Sequence, residues 1–190
     1  LDEGVIDASA AVDLPEGADR YVIDDTPALT PIDFGEVCIN IDTAWFAEHD
    51  VTPPAAFEDL TGADYKDLFV AINPSTSSTG LAFLLATVGH FGTGEAGGFA
   101  DYWKRLAANG MRIDEGWSDA YYTDFSGGGE GGAHPIVVSY SSSPAATLTE
   151  NGSASTTAAL LSTATRQVEY AGVLAGAANP DGARAFLTWM

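Results

Sequence analysis

Leu68–Ala86 reads LFVAINPSTSSTGLAFLLA, and this stretch decides the fold class. Leu68–Ile72 is a short apolar run of the kind that makes a buried strand. Asn73-Pro74 stops it, because proline has no amide hydrogen for a sheet ladder. Five hydroxyl residues, Ser75 to Thr79, lead to Gly80. Then Leu81, Phe83, Leu84, Leu85 and Val88 recur at helical spacing. A strand therefore feeds a hydroxyl-rich turn that opens a helix. The first amides of a helix have no partner inside it, and its dipole favours negative charge there. Two readings of the turn follow: plain capping by Ser or Thr, or a cradle for a phosphate or carboxylate.

The same alternation continues on both sides. Thr30–Asp42 has a long strand pattern with Gly35 inside it, which suggests a bulge or a close approach. Thr43–His49 reads as a short helix, and Ala56–Leu60 and Tyr65–Leu68 as helical turns. Tyr21–Ile23 reads as a short strand. Phe99–Ala108 is predicted helical, with Tyr102, Trp103 and Leu106 on its inner face. Met111–Asp114 follows as a strand and Asp119–Phe125 as a helix. Ser126–Ala133, SGGGEGGA, has the composition of a flexible loop. His134–Tyr140 is the next strand, with a helix expected from Ser141 through Leu148. Glu150–Thr157 reads as a polar loop, Thr165–Leu174 as a strand, and Asn179 starts a last helix. Strands alternating with helices imply an α/β chain with a largely parallel sheet.

Three strand-to-helix junctions carry similar chemistry: Ser75–Gly80, Gly116–Ser118 and Tyr140–Ser143. In right-handed α/β units ligands sit beyond the carboxyl ends of the strands. If the strands are parallel neighbours, the three turns face one crevice with hydroxyls, helix starts and the rings of Trp117, Tyr121 and Tyr140. That combination points to a ligand site.

The chain has 190 residues and a net charge of −20, with Lys66 and Lys104 its only lysines. This argues against nucleic acid and anionic membranes, which need clustered basic residues. Hydrophobic residues make up 46%, enough for a packed core. No apolar run is long enough to span a membrane. Cys38 stands alone in EVCINI and reads as a buried thiol. His49, His90 and His134 lack metal-ligand spacing, so no metal or cofactor is expected. Gly116-Trp-Ser-Asp-Ala120 approaches the G-x-S-x-G elbow but lacks the second glycine. Ser118 reads as a helix cap, and a serine hydrolase using Ser118 and His134 is the rival from another class.

Five segments occur in order: PIDFG (Pro31–Gly35), NPSTSSTG (Asn73–Gly80), GWSDAY (Gly116–Tyr121), VVSYSSSP (Val137–Pro144) and QVEYAGVLAG (Gln167–Gly176). Together they resemble solute-binding proteins of ABC importers with the two-lobed type II periplasmic fold, most of all the thiamine-binding branch. Its segments read like D-P-R-T-S-T-P-G, K-G-W-S-E-A-Y and L-S-Y-T-T-S-P. The resemblance implies a fragment of a two-lobed protein. Residues 1–29 would end a first-lobe segment, 30–42 would be a hinge crossing and first strand, 43–169 the second lobe, and 170–190 the return crossing. More chain would precede Leu1 and follow Met190.

The resemblance also implies a site. Ser77, Ser78, Thr79 and Gly80 match the phosphate-end turn, Trp117 a ring that packs on the ligand, and Tyr140 a pocket tyrosine. Tyr121 and Asp33 complete the candidate ligand set. The chain departs from the pattern at Ser75, where relatives carry Arg, at Thr79, where they carry Pro, and at Ala146, where thiamine binders carry a second pocket tyrosine. The implied function is non-enzymatic: capture of thiamine or a thiamine phosphate outside the cytoplasmic membrane, and delivery to an ABC permease. A monomer is expected, periplasmic or extracellular, free or lipid-anchored. Within the class, the alternatives are a ferric-ion binder using Tyr121, Tyr122 or Tyr140, and a spermidine or putrescine binder using Trp117, Asp33 and Asp119.

Overall fold

The computed structural model describes residues 4–190 except 15, 24, 25, 27, 95 and 130. Its strands are β1 (Thr30–Asp42), β2 (Phe69–Ile72), β3 (Arg112–Asp114), β4 (Ile136–Tyr140) and β5 (Thr157–Ala171). Its α-helices are α1 (Thr43–His49), α2 (Ser78–Phe91), α3 (Phe99–Ala108) and α4 (Pro180–Trp189). The chain divides into two compact units, one of residues 1–34 with 168–190 and one of residues 35–167.

In the larger unit the stretch from Leu68 folds as its pattern predicts. β2 is buried at all four positions, because it pairs on both edges and is covered on both faces. The sheet runs in the order β3-β2-β4-β1-β5. β2 is parallel to both β3 and β4, whereas β1 is antiparallel to β4, with Ile39 opposite Val138. The fold is thus α/β with a mixed sheet whose parallel part is β2, β3 and β4. These three strands end at one edge, which is what places the three junctions together.

The core is aromatic. Phe83 of α2 meets Phe69 of β2 edge-on at 5.7 Å and Trp103 of α3 at 5.7 Å. Tyr102 stacks on Phe91 at 4.4 Å, and its hydroxyl donates to the Phe57 carbonyl at 2.8 Å. That bond satisfies a polar atom which full burial would otherwise strand. Tyr102 and Leu106 are buried and Trp103 half-buried, the inner face expected for α3. Burial pushes the Cys38 thiol up to about 11, so it packs as a small apolar side chain.

In the smaller unit, Ala10, Val173 and Leu187 form a small core. Ile6 bridges Leu174, and the Tyr170 hydroxyl donates to the Tyr21 carbonyl at 2.7 Å.

Four local expectations are corrected. Tyr21–Ile23 is not a strand; Asp19–Tyr21 forms a 3₁₀ turn, since three apolar residues carry no period. β5 begins at Thr157, well before Thr165; its alanines and hydroxyl residues are mostly half-exposed, so alternation is faint. The helix expected from Ser141 to Leu148 is a single 3₁₀ turn, Ser143–Ala146, after which Leu148 bridges Ser155. The loop 126–133 is close-packed at Gly127, Gly128 and Gly132, while Gly129 and Gly131 lie open. A Cβ on Gly128 would lie 1.6 Å from the Tyr121 carbonyl oxygen, and one on Gly132 would lie 2.2 Å from that of Asp124. Gly127, Gly128 and Gly132 serve close approach, whereas Gly129 and Gly131 supply positive φ.

Candidate functional site

The first junction links β2 to α2. Asn73 turns the chain: its side-chain oxygen accepts from the Ser75 amide at 2.9 Å, and its carbonyl accepts from the Ser77 amide at 3.1 Å. Ser77 is the N-cap of α2, its hydroxyl accepting from the Gly80 amide at 3.4 Å. The capping reading is therefore correct for Ser77. The Ser78 and Thr79 amides donate to no acceptor among the described residues, which leaves two N–H groups for an anion. Gly80 is obligatory for packing: a Cβ there would lie 2.5 Å from the Ile72 carbonyl oxygen.

The second junction links β3 to a π-helical turn, Asp119–Asp124. Ser118 is already helical and its side chain caps nothing, a correction to its expected role. The turn carries Tyr121 inward and Tyr122 outward. Trp117 stacks on Tyr121 at 4.9 Å and 14°, and meets Tyr122 edge-on at 5.3 Å. Burial, with Tyr122 adding to it, pushes the Tyr121 phenol above its ordinary value. The first two junctions are tied together: the Thr76 hydroxyl donates to the Glu115 carbonyl at 2.7 Å, and the Asn73 amide donates to the Glu115 carboxylate at 3.1 Å.

The third junction follows β4. The Tyr140 and Thr79 hydroxyls are 3.0 Å apart, joining the third junction to the first. The Tyr140 ring lies 6.3 Å from Trp117 and rests over Gly35, where a Cβ would meet it at 3.3 Å. Gly35 thus marks a close approach by a side chain. The Trp117 indole N–H donates to the Ser139 hydroxyl at 2.9 Å. Ser139 and Ser143 hydroxyls are 2.7 Å apart, and the Tyr140 amide donates to the Ser143 hydroxyl at 3.2 Å.

Trp117, Tyr121, Tyr122, Tyr140, Ser142, Ser143 and Ala146 line a cavity of about 270 Å³, with no basic or acidic side chain in its wall. Of the candidate residues, Ser77, Ser78, Thr79, Gly80, Trp117, Tyr121 and Tyr140 come together at this edge of the larger unit. Asp33 does not line the cavity; it is exposed on the smaller unit. Ser143 closes the third of the expected junctions, but Ser139 is not among the expected site residues, although it belongs to the quoted segment VVSYSSSP. A buried serine beside a tyrosine carries no sequence signal of its own. No hydrogen bond joins Ser118 to His134 among the described residues. No cluster of three or more His, Cys, Asp or Glu able to hold a metal occurs among them either.

A sequence profile of the family described as "Bacterial extracellular solute-binding protein" matches residues 1–174. The chain belongs to that family. It is a type II periplasmic binding protein by sequence and by fold. This family member is 29% identical over 186 residues to the thiamine-binding periplasmic protein of Salmonella typhimurium, covering 96% of the chain and 50% of that protein. It therefore spans about half the length of its curated relative. Its fold is similar to that of a periplasmic thiamin binding protein, with a TM-score of 0.75 and 25% identity, over 99% of this chain and 55% of the other. Iron-bound HitA from Pseudomonas aeruginosa shares the fold at a TM-score of 0.64 and 17% identity, over 100% of this chain and 58% of that one.

Proposed function

We propose that this chain is part of the solute-binding component of an ABC importer, acting in the periplasm or outside the cell. It captures thiamine or a thiamine phosphate and hands it to a membrane permease. In this reading residues 43–169 are the second lobe, with 30–42 and 170–190 as crossings. The observation that carries the reading is the cavity walled by Trp117, Tyr121 and Tyr140 beside the start of α2. Thiamine pairs a permanent thiazolium cation with a flat aminopyrimidine. Indole and phenol faces attract such a cation by roughly 0.5–2 kcal/mol, depending on desolvation. A phosphate on the other end would meet the Ser78 and Thr79 amides. The thiamine-binding relatives support the same choice of ligand.

Tyr121 is stacked on Trp117, and no carboxylate or imidazole joins the tyrosines in the cavity wall, so a ferric ion would find phenols alone there. The absence of carboxylates from the cavity wall gives a polyamine no counter-charge there. The test is calorimetry and tryptophan quenching of the intact protein with thiamine, its phosphates, spermidine and ferric citrate. Thiamine is expected to bind and quench, and Trp117→Ala to weaken binding about 2- to 30-fold, the range of a cation–aromatic contact. Tight ferric or spermidine binding without thiamine binding overturns the proposal.

A further inference from the structure

The hydroxyl pair behind the cavity has a direction that hydrogen counting decides. Ser139 is fully buried, and its oxygen accepts the Trp117 indole hydrogen. Its own hydrogen has Ser143 as its partner, 2.7 Å away. If Ser143 were the donor in that pair, the Ser139 hydrogen would be buried without an acceptor, at a cost of about 1–3 kcal/mol. So Ser139 donates to Ser143. Ser143 then accepts twice, from Ser139 and from the Tyr140 amide, which pins it to the backbone of β4's end. The result is a chain running from the indole through Ser139 to Ser143, each bond polarising the next. It ends at Ser143, which forms part of the cavity wall.

We propose that Ser139 is a positioning residue: it fixes where the Trp117 ring sits within its own plane, so that the indole face is held ready for a flat cationic ligand before one arrives. The stack of Trp117 on Tyr121 alone would allow the indole to slide in its own plane. The bond from its nitrogen to a fully buried oxygen removes that freedom, and a ring already immobilised loses less entropy on binding. The assignment rests on the ligand reading above for its effect on affinity, but not for its effect on the ring.

The test is a cycle of Ser139→Ala, Trp117→Phe and the double variant, read by thiamine calorimetry and by near-ultraviolet circular dichroism without ligand. Ser139→Ala is expected to weaken thiamine binding about three- to tenfold, the worth of one net hydrogen bond, and to diminish the aromatic dichroism of the Trp117–Tyr121 stack. In the Trp117→Phe background, which has no indole nitrogen, both effects should vanish. If Ser139→Ala fails to fold, Ser139→Cys, whose sulfur is only a weak acceptor for the indole N–H, should show the same ligand-free dichroic loss. An equal loss of affinity in both backgrounds, or an unchanged dichroic band, overturns the proposal. If the parent protein binds no thiamine, the ligand reading fails alone and the dichroic arm still decides the role of Ser139.

Discussion

Asp114 shows how a single residue sets a pH response. It closes β3 with its carboxyl buried; one oxygen accepts from Arg112 Nε at 2.8 Å and the other has no partner among the described residues. The same guanidinium holds Asp124 at 2.8 Å. Burial raises the Asp114 pKa, and nearby Asp124 adds to the rise while Arg112 opposes it. The folded protein therefore keeps this proton to higher pH than the unfolded chain does. Stability from Asp114 falls as pH rises from about 3.9, the unfolded value, through the raised folded value. Asp114→Asn still accepts from Arg112 but cannot titrate. Urea denaturation between pH 4 and pH 7 should show the variant gaining stability relative to the parent as pH rises. A pH-independent difference between the two would refute this account.

At the scale of elements, the loop 126–133 and the π-helical turn are one assembly. The Ser126 hydroxyl donates to Asp42 at 2.6 Å, and Asp42 also caps α1 by accepting from the Trp45 amide at 3.0 Å. The Ser126 amide donates to the His134 carbonyl, and the His134 amide to the Asp124 carbonyl, both at 3.0 Å. Gly128→Ala cannot be accommodated without moving the Tyr121 peptide. It should cost about 1–3 kcal/mol, as overpacked sites do, and weaken the proposed thiamine binding through Tyr121 and Trp117. Thermal denaturation with calorimetry checks this, and parent-like values for both would sink it.

The same elements show why some of the structure was legible. β2 and α2 could be read because the apolar spacing switches from continuous to helical at Asn73-Pro74. β1 and α1 appear where their patterns put them, Thr30–Asp42 and Thr43–His49. The glycine-rich loop could not be read, because composition reports freedom and not what the chain lies against. The gathering of Trp117, Tyr121 and Tyr140 was legible through the topology of three parallel strands and through the family resemblance. The role of Ser139 was not legible, because its partners are Trp117, distant in the sequence, and Ser143, met only across a turn.

For these 190 residues taken together, the net charge of −20 acts at a distance that local contacts do not. A cation such as thiamine should be drawn in by this field, which salt screens over about 30 Å at 0.01 M and about 8 Å at 0.15 M. Stopped-flow fluorescence should show the association rate falling with added salt while the dissociation rate changes much less. An association rate indifferent to salt would mean the surface charge plays no part in capture.

Tyr140 has one neighbour whose position matters beyond the cavity. Its ring lies against Gly35, the first residue of the larger unit, one peptide bond from Phe34 of the smaller. Any guest that nudges that phenol sideways presses on the backbone of β1, so the wall of the cavity and that strand move together.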